Sequence, residues 1–163
     1  MDNRDIHSAL VRWLSTRTEL LVIKAYESGA LPSLPYLMVN FLGQREIRAH
    51  PQDFEYAEDL PSERVMARPV IDSEWHFSIH AYGDYPSDIL RPLVSAAHLA
   101  QVNEPLMPGL IIHEISQVRN VPEYVNDEWE PRAQIDLFLR GLTRDGHLID
   151  TIETFEPFRI SRA

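Results

Sequence analysis

The hydrophobic residues of the N-terminal segment recur with the period of an α-helix. They stand at positions i, i+4, i+7 and i+8, which are Ile6, Leu10, Trp13 and Leu14. This spacing lines one face of a helix, and Asp2 or Asn3 can cap its first turn. The pattern predicts an amphipathic helix over residues 3 to 16 that buries this face.

Two later segments alternate apolar and polar residues with a period of two. Their apolar positions are Trp75, Phe77, Ile79 and Ala81 in the first segment and Ala133, Ile135, Leu137 and Leu139 in the second. Alternation of this kind is typical of strands with one buried face. We expect Gly83 to permit the turn that ends the first strand.

The other apolar runs are shorter and are separated by glycine and proline. They predict four more strands, at residues 20 to 26, 36 to 42, 110 to 118 and 148 to 155. A helical stripe predicts a second helix over residues 88 to 102, with Ser87 or Asp88 as its cap. Pro92 is then expected near the first turn, where a missing N–H costs little.

Three segments show no usable hydrophobic period. Residues 49 to 64 are polar and acidic, and residues 121 to 131 are rich in proline and acid, so the sequence predicts a loop in both places. A loop as long as residues 49 to 64 is functional or disordered in a small domain, and we expect it to serve assembly. Residues 156 to 163 are predicted to form an extended C-terminal tail.

Together these elements predict a single domain over residues 1 to 163 with an α+β fold. A single, mostly antiparallel β-sheet would carry the two α-helices packed on it. The predicted core consists of Ile6, Leu10, Trp13, Phe77, Ile79, Leu93, Ile135 and Leu137.

Composition narrows the classes of function. The chain carries a formal charge of −10, which disfavours tight binding to nucleic acid, and all but Lys24 of its 15 basic residues are arginine. The absence of cysteine excludes disulfides, thiol nucleophiles and Cys-based zinc sites. No apolar run approaches the ~18 residues that suggest a membrane span, so we expect a soluble protein without membrane association.

The candidate catalytic and metal-binding residues form no recognised motif. His76 and His80 share a strand face, but four residues of strand span ~13 Å, which is too far for joint binding of one metal ion. The motif beginning at His113 has Gln117 where a zinc-protease helix requires its second histidine. We interpret the carboxylates around Trp129 as an acidic solvated loop rather than a glycosidase pair. The sequence predicts no enzyme, no cofactor and no metal site.

Three phrases of sequence stand in order along nearly the whole chain. They are Leu34-Pro35-Tyr36, the run from Phe77 to Gly83, and the run from Glu130 to Leu137. Taken together, these phrases resemble the neck and tail-terminator proteins of tailed bacteriophages. The chain departs from the family pattern at Leu31, since members often carry an arginine ahead of the first proline. This departure concerns a local contact and not the fold.

The resemblance implies a structural virion protein that forms a hexameric ring at the head-proximal end of the tail. Such a homo-oligomer would terminate the tail tube, contact the tail tube protein, and join it to the head-tail connector or head completion protein. DNA would pass through the lumen without specific binding, and assembly would take place in the host cytoplasm. Another ring or baseplate component is the first alternative, and a small α+β hydrolase or ligand-binding domain is the second.

Charged residues are the candidates for contacts between subunits. Glu130, Arg132 and Asp136 have the same parity, so they share a strand face where charge pairs can form within or between subunits. Ordinary solvent-facing charge is the alternative for each of them. The candidate interface residues are Glu58, Asp59, Arg64, Glu130, Arg132, Asp136, Arg159 and Arg162.

Overall fold

The fold is taken from a computed structural model, which describes residues 1–26, 29, 31–59, 64–99, 101 and 106–150. Within these residues the helices are α1 (Asn3–Thr18) and α2 (Pro86–Ala97). The strands are β1 (Leu21–Lys24), β2 (Tyr36–Glu46), β3 (Asp53–Asp59), β4 (Arg64–Tyr82), β5 (Ile111–Ile115), β6 (Arg119–Asn120), β7 (Glu123–Val125), β8 (Glu128–Glu130), β9 (Arg132–Arg144) and β10 (His147–Ile149).

Eight of these strands form one sheet around β4 and β9. The main order is β1-β2-β4-β9-β5, with β3 and β10 also paired to β4 and β6 paired to β9. Strands β7 and β8 form a separate antiparallel hairpin. The predicted α+β fold is confirmed, with the difference that the sheet is mixed, because β1 runs parallel to β2.

Helix α1 forms as its sequence pattern predicts. Asp2 is the N-cap, and its Oδ1 accepts a hydrogen bond from the Arg4 N–H at 3.1 Å, which satisfies one of the free donors of the first turn. The helix continues two residues past the predicted end and stops at Glu19, whose backbone is left-handed with φ 58°. The Trp75 indole N–H donates to Asn3 Oδ1 at 2.7 Å and ties the start of α1 to the sheet.

Helix α2 differs from its prediction at both ends. It begins at Pro86, so the predicted cap at Ser87 or Asp88 is wrong, and Tyr85 holds the cap position without a side-chain hydrogen bond. Proline suits the first helical position because its missing N–H has no partner there in any case. The helix ends at Ala97, five residues early, and Pro92 lies inside it rather than near its first turn.

The core lies between the helices and one face of the sheet. All eight residues predicted for it are buried, which confirms that prediction. The apolar residues of β4 and β9 contribute the sheet side of this core, and Leu37, Val39 and Leu90 complete it. Burial on a single face is the reason why the two-residue period was visible in the sequence.

The loop prediction for residues 49 to 64 is wrong over half of its length. Residues 53 to 59 form β3, which pairs antiparallel with residues 64 to 70 of β4. The described residues of β3 are exposed on both faces. The sequence does carry a short alternation of Phe54 and Tyr56 with acidic residues, and the polar and acidic composition of the segment obscured it. Residues 60 to 63 lie outside the described part of the chain.

Other segments are corrected in detail. The predicted loop at residues 121 to 131 contains the hairpin of β7 and β8. The predicted strand at residues 110 to 118 is shorter, and β6 follows it as a separate short strand. The last described strand, β10, ends at Ile149. The rest of the predicted strand at 148 to 155 and the predicted tail at 156 to 163 lie beyond the described residues.

Candidate functional site

The three phrases that carry the family resemblance meet at one end of the sheet. Tyr36 pairs with Tyr82 across β2 and β4, and their rings stack with centroids 4.7 Å apart. Tyr82 in turn pairs with Arg132 at the start of β9. Gly83 has φ +142°, and a Cβ at this position would lie 3.0 Å from the Pro35 Cβ, so both backbone and packing favour glycine. Tertiary structure therefore gathers segments that are far apart in sequence.

The β7–β8 hairpin stands at the same end of the sheet and is both aromatic and acidic. Tyr124 and Trp129 are 57% and 69% exposed, and their ring centroids lie 5.2 Å apart. The hairpin contains no basic residue, and its carboxylates are Glu123, Asp127, Glu128 and Glu130. Its base is held by Arg132, which binds a Glu123 carboxylate oxygen at 2.6 Å and donates to the Val121 carbonyl at 3.3 Å.

The sheet face that carries no helix in the described chain is polar, and it is called the charged face below. It is formed by the even-numbered residues of β4 and β9, including Glu74 and Asp136, together with their neighbours on β2 and β5. Glu74 is only 3% exposed, and it accepts hydrogen bonds from Arg45 Nε at 2.7 Å and Arg140 Nε at 2.9 Å. Three strands are cross-linked by this carboxylate.

The electrostatics of Glu74 follow from these contacts. Burial raises the pKa of its carboxyl group, but the hydrogen bonds from Arg140 and Arg45 and their positive charges outweigh burial. The pKa of Glu74 therefore lies below its ordinary value of 4.5. The group is ionised at neutral pH and acts as a fixed anion between two cations.

Asp136 is the second centre of the charged face. It binds Arg119 and accepts a hydrogen bond from Gln134 Nε2 at 3.2 Å. Its backbone N–H donates to Ser116 Oγ at 2.8 Å. The His76 Nε2 lies 3.8 Å from its carboxylate, beyond hydrogen-bond distance. The carboxylate therefore holds β9 and the segment around β6 together.

The two histidines of this face contact different neighbours. His80 Nε2 is 3.2 Å from Ser78 Oγ, and His76 stacks on Phe138 with ring centroids 4.3 Å apart. Burial, followed by the charge of Arg132, lowers the pKa of His80, although the charge of Asp136 acts in the opposite direction. The lowered pKa favours the neutral ring. Among the described residues, no group of three or more His, Asp or Glu side chains could hold a metal ion.

An arm extends the sheet beyond the helices. It consists of β3, residues 64 to 70 of β4, and β10. Phe54 and Tyr56 lie on one face of β3, 48% and 64% exposed, with ring centroids 6.5 Å apart. On the arm, Arg64 binds Asp150 at 2.8 Å. The arm presents apolar surface for which the described chain provides no cover.

The candidate interface residues fall into two separate groups. Glu58, Asp59 and Arg64 lie on the arm, where Glu58 is exposed and Asp59 is described by its backbone alone. Glu130, Arg132 and Asp136 lie at or near the sheet end. The other two candidates, Arg159 and Arg162, lie outside the described residues.

The shared face predicted for the second group is observed for Arg132 and Asp136, and each of them forms an ion pair within the subunit. For Glu130 the prediction is wrong, because this residue belongs to β8 of the separate hairpin and not to β9. The role of all eight residues between subunits remains a prediction.

Sequence reasoning missed two features of these surfaces, the ion pairs around Glu74 and the exposed aromatic pair of the hairpin. Glu74, Arg45 and Arg140 are distant in sequence, and only the register of β2, β4 and β9 brings them together. The parity that Glu74 shares with His76 was the one available signal. Tyr124 and Trp129 were hidden in a segment interpreted as a solvated loop, although an exposed aromatic pair is typical of interfaces.

Comparison with known proteins is consistent with this fold. No helix among the described residues is long and apolar enough to cross a membrane. No curated protein matches the chain. The structure of an extracellular contractile injection system, the PVC sheath/tube terminator in its extended state, aligns with a TM-score of 0.50 and 11% identity over 100% of this chain. This chain spans 65% of that one, and at this identity the likeness concerns the fold alone.

The alignment with a further solved structure covers 86% of this chain and 96% of that one at 15% identity. Its TM-score of 0.39 is too low to indicate a shared fold. The family model described as "Phage neck terminator protein" matches residues 4–161. Because this match covers nearly the entire chain, the protein belongs to the phage neck terminator family.

Proposed function

We propose that the protein forms a hexameric ring at the head-proximal end of the tail, closing the tail tube and joining it to the head-tail connector. DNA passes through the lumen of this ring without specific binding. The observation that carries the proposal is the family match over residues 4–161. The role is structural, with neither a catalytic activity nor a cofactor.

The arm supports an assembly role because its apolar surface lacks cover in the single chain. Exposed aromatic side chains cost free energy in water and are enriched where proteins bind each other. Phe54 and Tyr56 provide such a surface, and Glu58 and Arg64 border it on neighbouring strands. The arm is proposed to reach a neighbouring subunit or the end of the tail tube.

The proposal is tested by adding the purified protein to tail tubes of the same phage and imaging the mixture by cryo-electron microscopy. We expect one six-fold ring at one end of each tube, and shorter average tubes when the protein is present during tube polymerisation. Binding to the opposite end would support a baseplate component instead. Tubes that remain bare at both ends would contradict the proposal.

The arm gives a direct test of assembly by mutation. The double variant Phe54→Ser, Tyr56→Ser should remain folded, because both side chains are exposed, but its incorporation at tube ends should fall at least tenfold. Tyr26→Ser is the matched control, since Tyr26 is almost fully exposed elsewhere on the chain. Thermal denaturation checks the fold, and quantitative labelling of tube ends checks incorporation. Full incorporation of the double variant would show that the arm is dispensable.

The charge of the ring gives a further prediction. Six copies, each at −10, carry roughly −60 formal charges, which repel both DNA and one another. We therefore expect largely monomeric subunits at low salt, and ring formation that improves with screening or with the tube end as a template. A DNA titration at low salt should detect no duplex binding in the micromolar range. Micromolar or tighter affinity, or a basic lumen in the assembled ring, would favour a DNA-gripping connector instead.

A further inference from the structure

We propose that the β7–β8 hairpin of one copy docks into a depression on the charged face of a second copy, with Trp129 as its anchor. This inference rests on the proposed ring and specifies a contact that would build it.

The donor surface has the composition of an interface hot spot. Trp129 and Tyr124 are both more than half exposed and pack against each other at the end of a short hairpin. Tryptophan and tyrosine are the residues most often found to dominate binding energy between proteins. The four carboxylates of the hairpin flank these two aromatic residues in sequence, and Arg132 pairs with the Glu123 carboxylate at the base. The exposed tip is therefore aromatic and negatively charged.

The acceptor surface is a depression on the charged face whose lining mixes apolar and polar side chains. Leu42 is half exposed, and the stacked rings of His76 and Phe138 lie beside it. An amphipathic indole ring suits a surface that offers both apolar contacts and polar groups. The residues lining the depression are Leu42, Gly43, Gln44, Arg45, Glu74, His76, Glu114 and Phe138.

The charged groups exposed around the depression are mainly arginines, and their positive charge complements the acidic hairpin. The carboxylates Glu74 and Asp136 are 3% and 18% exposed, whereas their partners Arg45 and Arg119 are 72% and 52% exposed. The anions are thus covered and the guanidinium groups reach the surface, although Glu114 is an exposed carboxylate in the same area. Although the chain carries a net charge of −10, the outward-facing arginines of the charged face attract an acidic hairpin.

The hairpin is too short to occupy the depression of its own chain. The hairpin is anchored at Arg132, whereas the depression is lined by Phe138, six residues further along β9. Six residues of strand span roughly 20 Å, and the three-residue strands of the hairpin reach only about 10 Å. The occupant of the depression is therefore the hairpin of another copy.

This contact joins two different surfaces and is heterologous. Each copy offers one hairpin and one depression, so every subunit can bind two neighbours in the same direction. Head-to-tail contacts of this kind generate closed rings when the rotation per subunit closes, and open filaments when it does not. The contact therefore matches the ring of the proposed function without requiring a particular number of subunits.

The experiment uses two complementary variants of the full chain. Trp129→Ser removes the anchor and leaves the depression intact, whereas Leu42→Glu places a negative charge on the floor and leaves the hairpin intact. Gly43→Trp, which fills the depression from the position paired with His76, where an added Cβ meets no atom within 4 Å, is a second acceptor variant in case Leu42→Glu does not fold. Tyr26→Ser is again the control. Thermal denaturation checks folding, and mass photometry and sedimentation velocity measure oligomers at moderate salt.

We expect each variant alone to self-associate roughly 30-fold more weakly than the wild-type chain, which is the effect of losing a hot-spot tryptophan. Mixing the donor and acceptor variants should give 1:1 dimers and no rings, because the pair retains one intact contact. If both variants form rings as the wild type does, the hairpin contact is wrong while the proposed ring stands. If the wild type forms open filaments that the variants abolish, the contact stands and the closed ring is wrong. A wild-type chain that stays monomeric at every salt concentration, even with tubes present, would overturn both.

Discussion

Replacing Phe77 with alanine is expected to lower the free energy of unfolding by about 3–5 kcal/mol, the usual cost of removing a buried aromatic ring. Phe77 is fully enclosed between α1 and the sheet. Its ring centroid lies 5.4 Å from that of His7 and 5.2 Å from that of Phe41. The cavity left behind would remove contacts that β4 makes with both α1 and β2. Urea denaturation followed by circular dichroism measures the change.

Phe54→Ala is the matched control for this substitution. The same ring is removed, but Phe54 is about half exposed on the arm, so we expect a loss of stability below roughly 1 kcal/mol. The two variants separate folding from assembly, because Phe77→Ala acts on the core and Phe54→Ala on a surface proposed for contacts. Equal destabilisation by both substitutions would contradict the assignment of the core.

Glu74→Gln is expected to destabilise the chain by about 2–3 kcal/mol at neutral pH, because it leaves two arginines without their shared carboxylate. This value lies below the ~3–5 kcal/mol that is usual for a broken buried ion pair, because Arg45 is mostly exposed and water can replace its partner. Glutamine preserves the shape of the side chain, so the effect reports on charge. Equilibrium unfolding at several pH values measures it.

The pH dependence of this effect has a definite sign. Because the pKa of Glu74 is lower in the folded state than its ordinary value of 4.5, its stabilisation is fully present above that value. It is lost as the pH falls through the lowered pKa, so the stability difference between wild type and Glu74→Gln should shrink below about pH 4.5. Glu55→Gln is the control, since the Glu55–Arg144 pair is largely exposed and is worth less than about 1 kcal/mol. A difference that stays constant down to pH 3 would contradict the role of the charge.

The candidate interface was only partly accessible to sequence reasoning. The parity of Arg132 and Asp136 was correct, because residues two apart on a strand always share a face. The partners of these residues could not be inferred. Arg119 reaches Asp136 because β6 pairs with β9, and Glu74 binds arginines from the strands on both of its sides. Such pairs depend on register, which is a property of the whole sheet.

The arm shows where a local pattern fails. Strand β3 was predicted to be a loop because its segment is polar and acidic, and the short alternation of Phe54 and Tyr56 with acidic residues was overlooked. Pairing with β4 supplies its backbone hydrogen bonds, and the Glu55–Arg144 pair at 2.8 Å ties it to the far strand β9. The strand therefore exists because of its neighbours, and its propensity alone would not form it.

The sequence by itself determined α1, the central strands β4 and β9, and the eight residues predicted for the core. Burial of one face imposes a regular spacing of apolar residues, and this spacing is visible in the order of residues along the chain. Tertiary structure alone decided the parallel pairing of β1 with β2, the start of α2 at Pro86, and the meeting of the three family phrases at Tyr36, Tyr82 and Arg132. The physical reason is the range of the interactions. Amphipathic periods are local and can be read within a dozen residues, whereas strand order, register and the covering of surfaces depend on contacts between segments far apart in the chain.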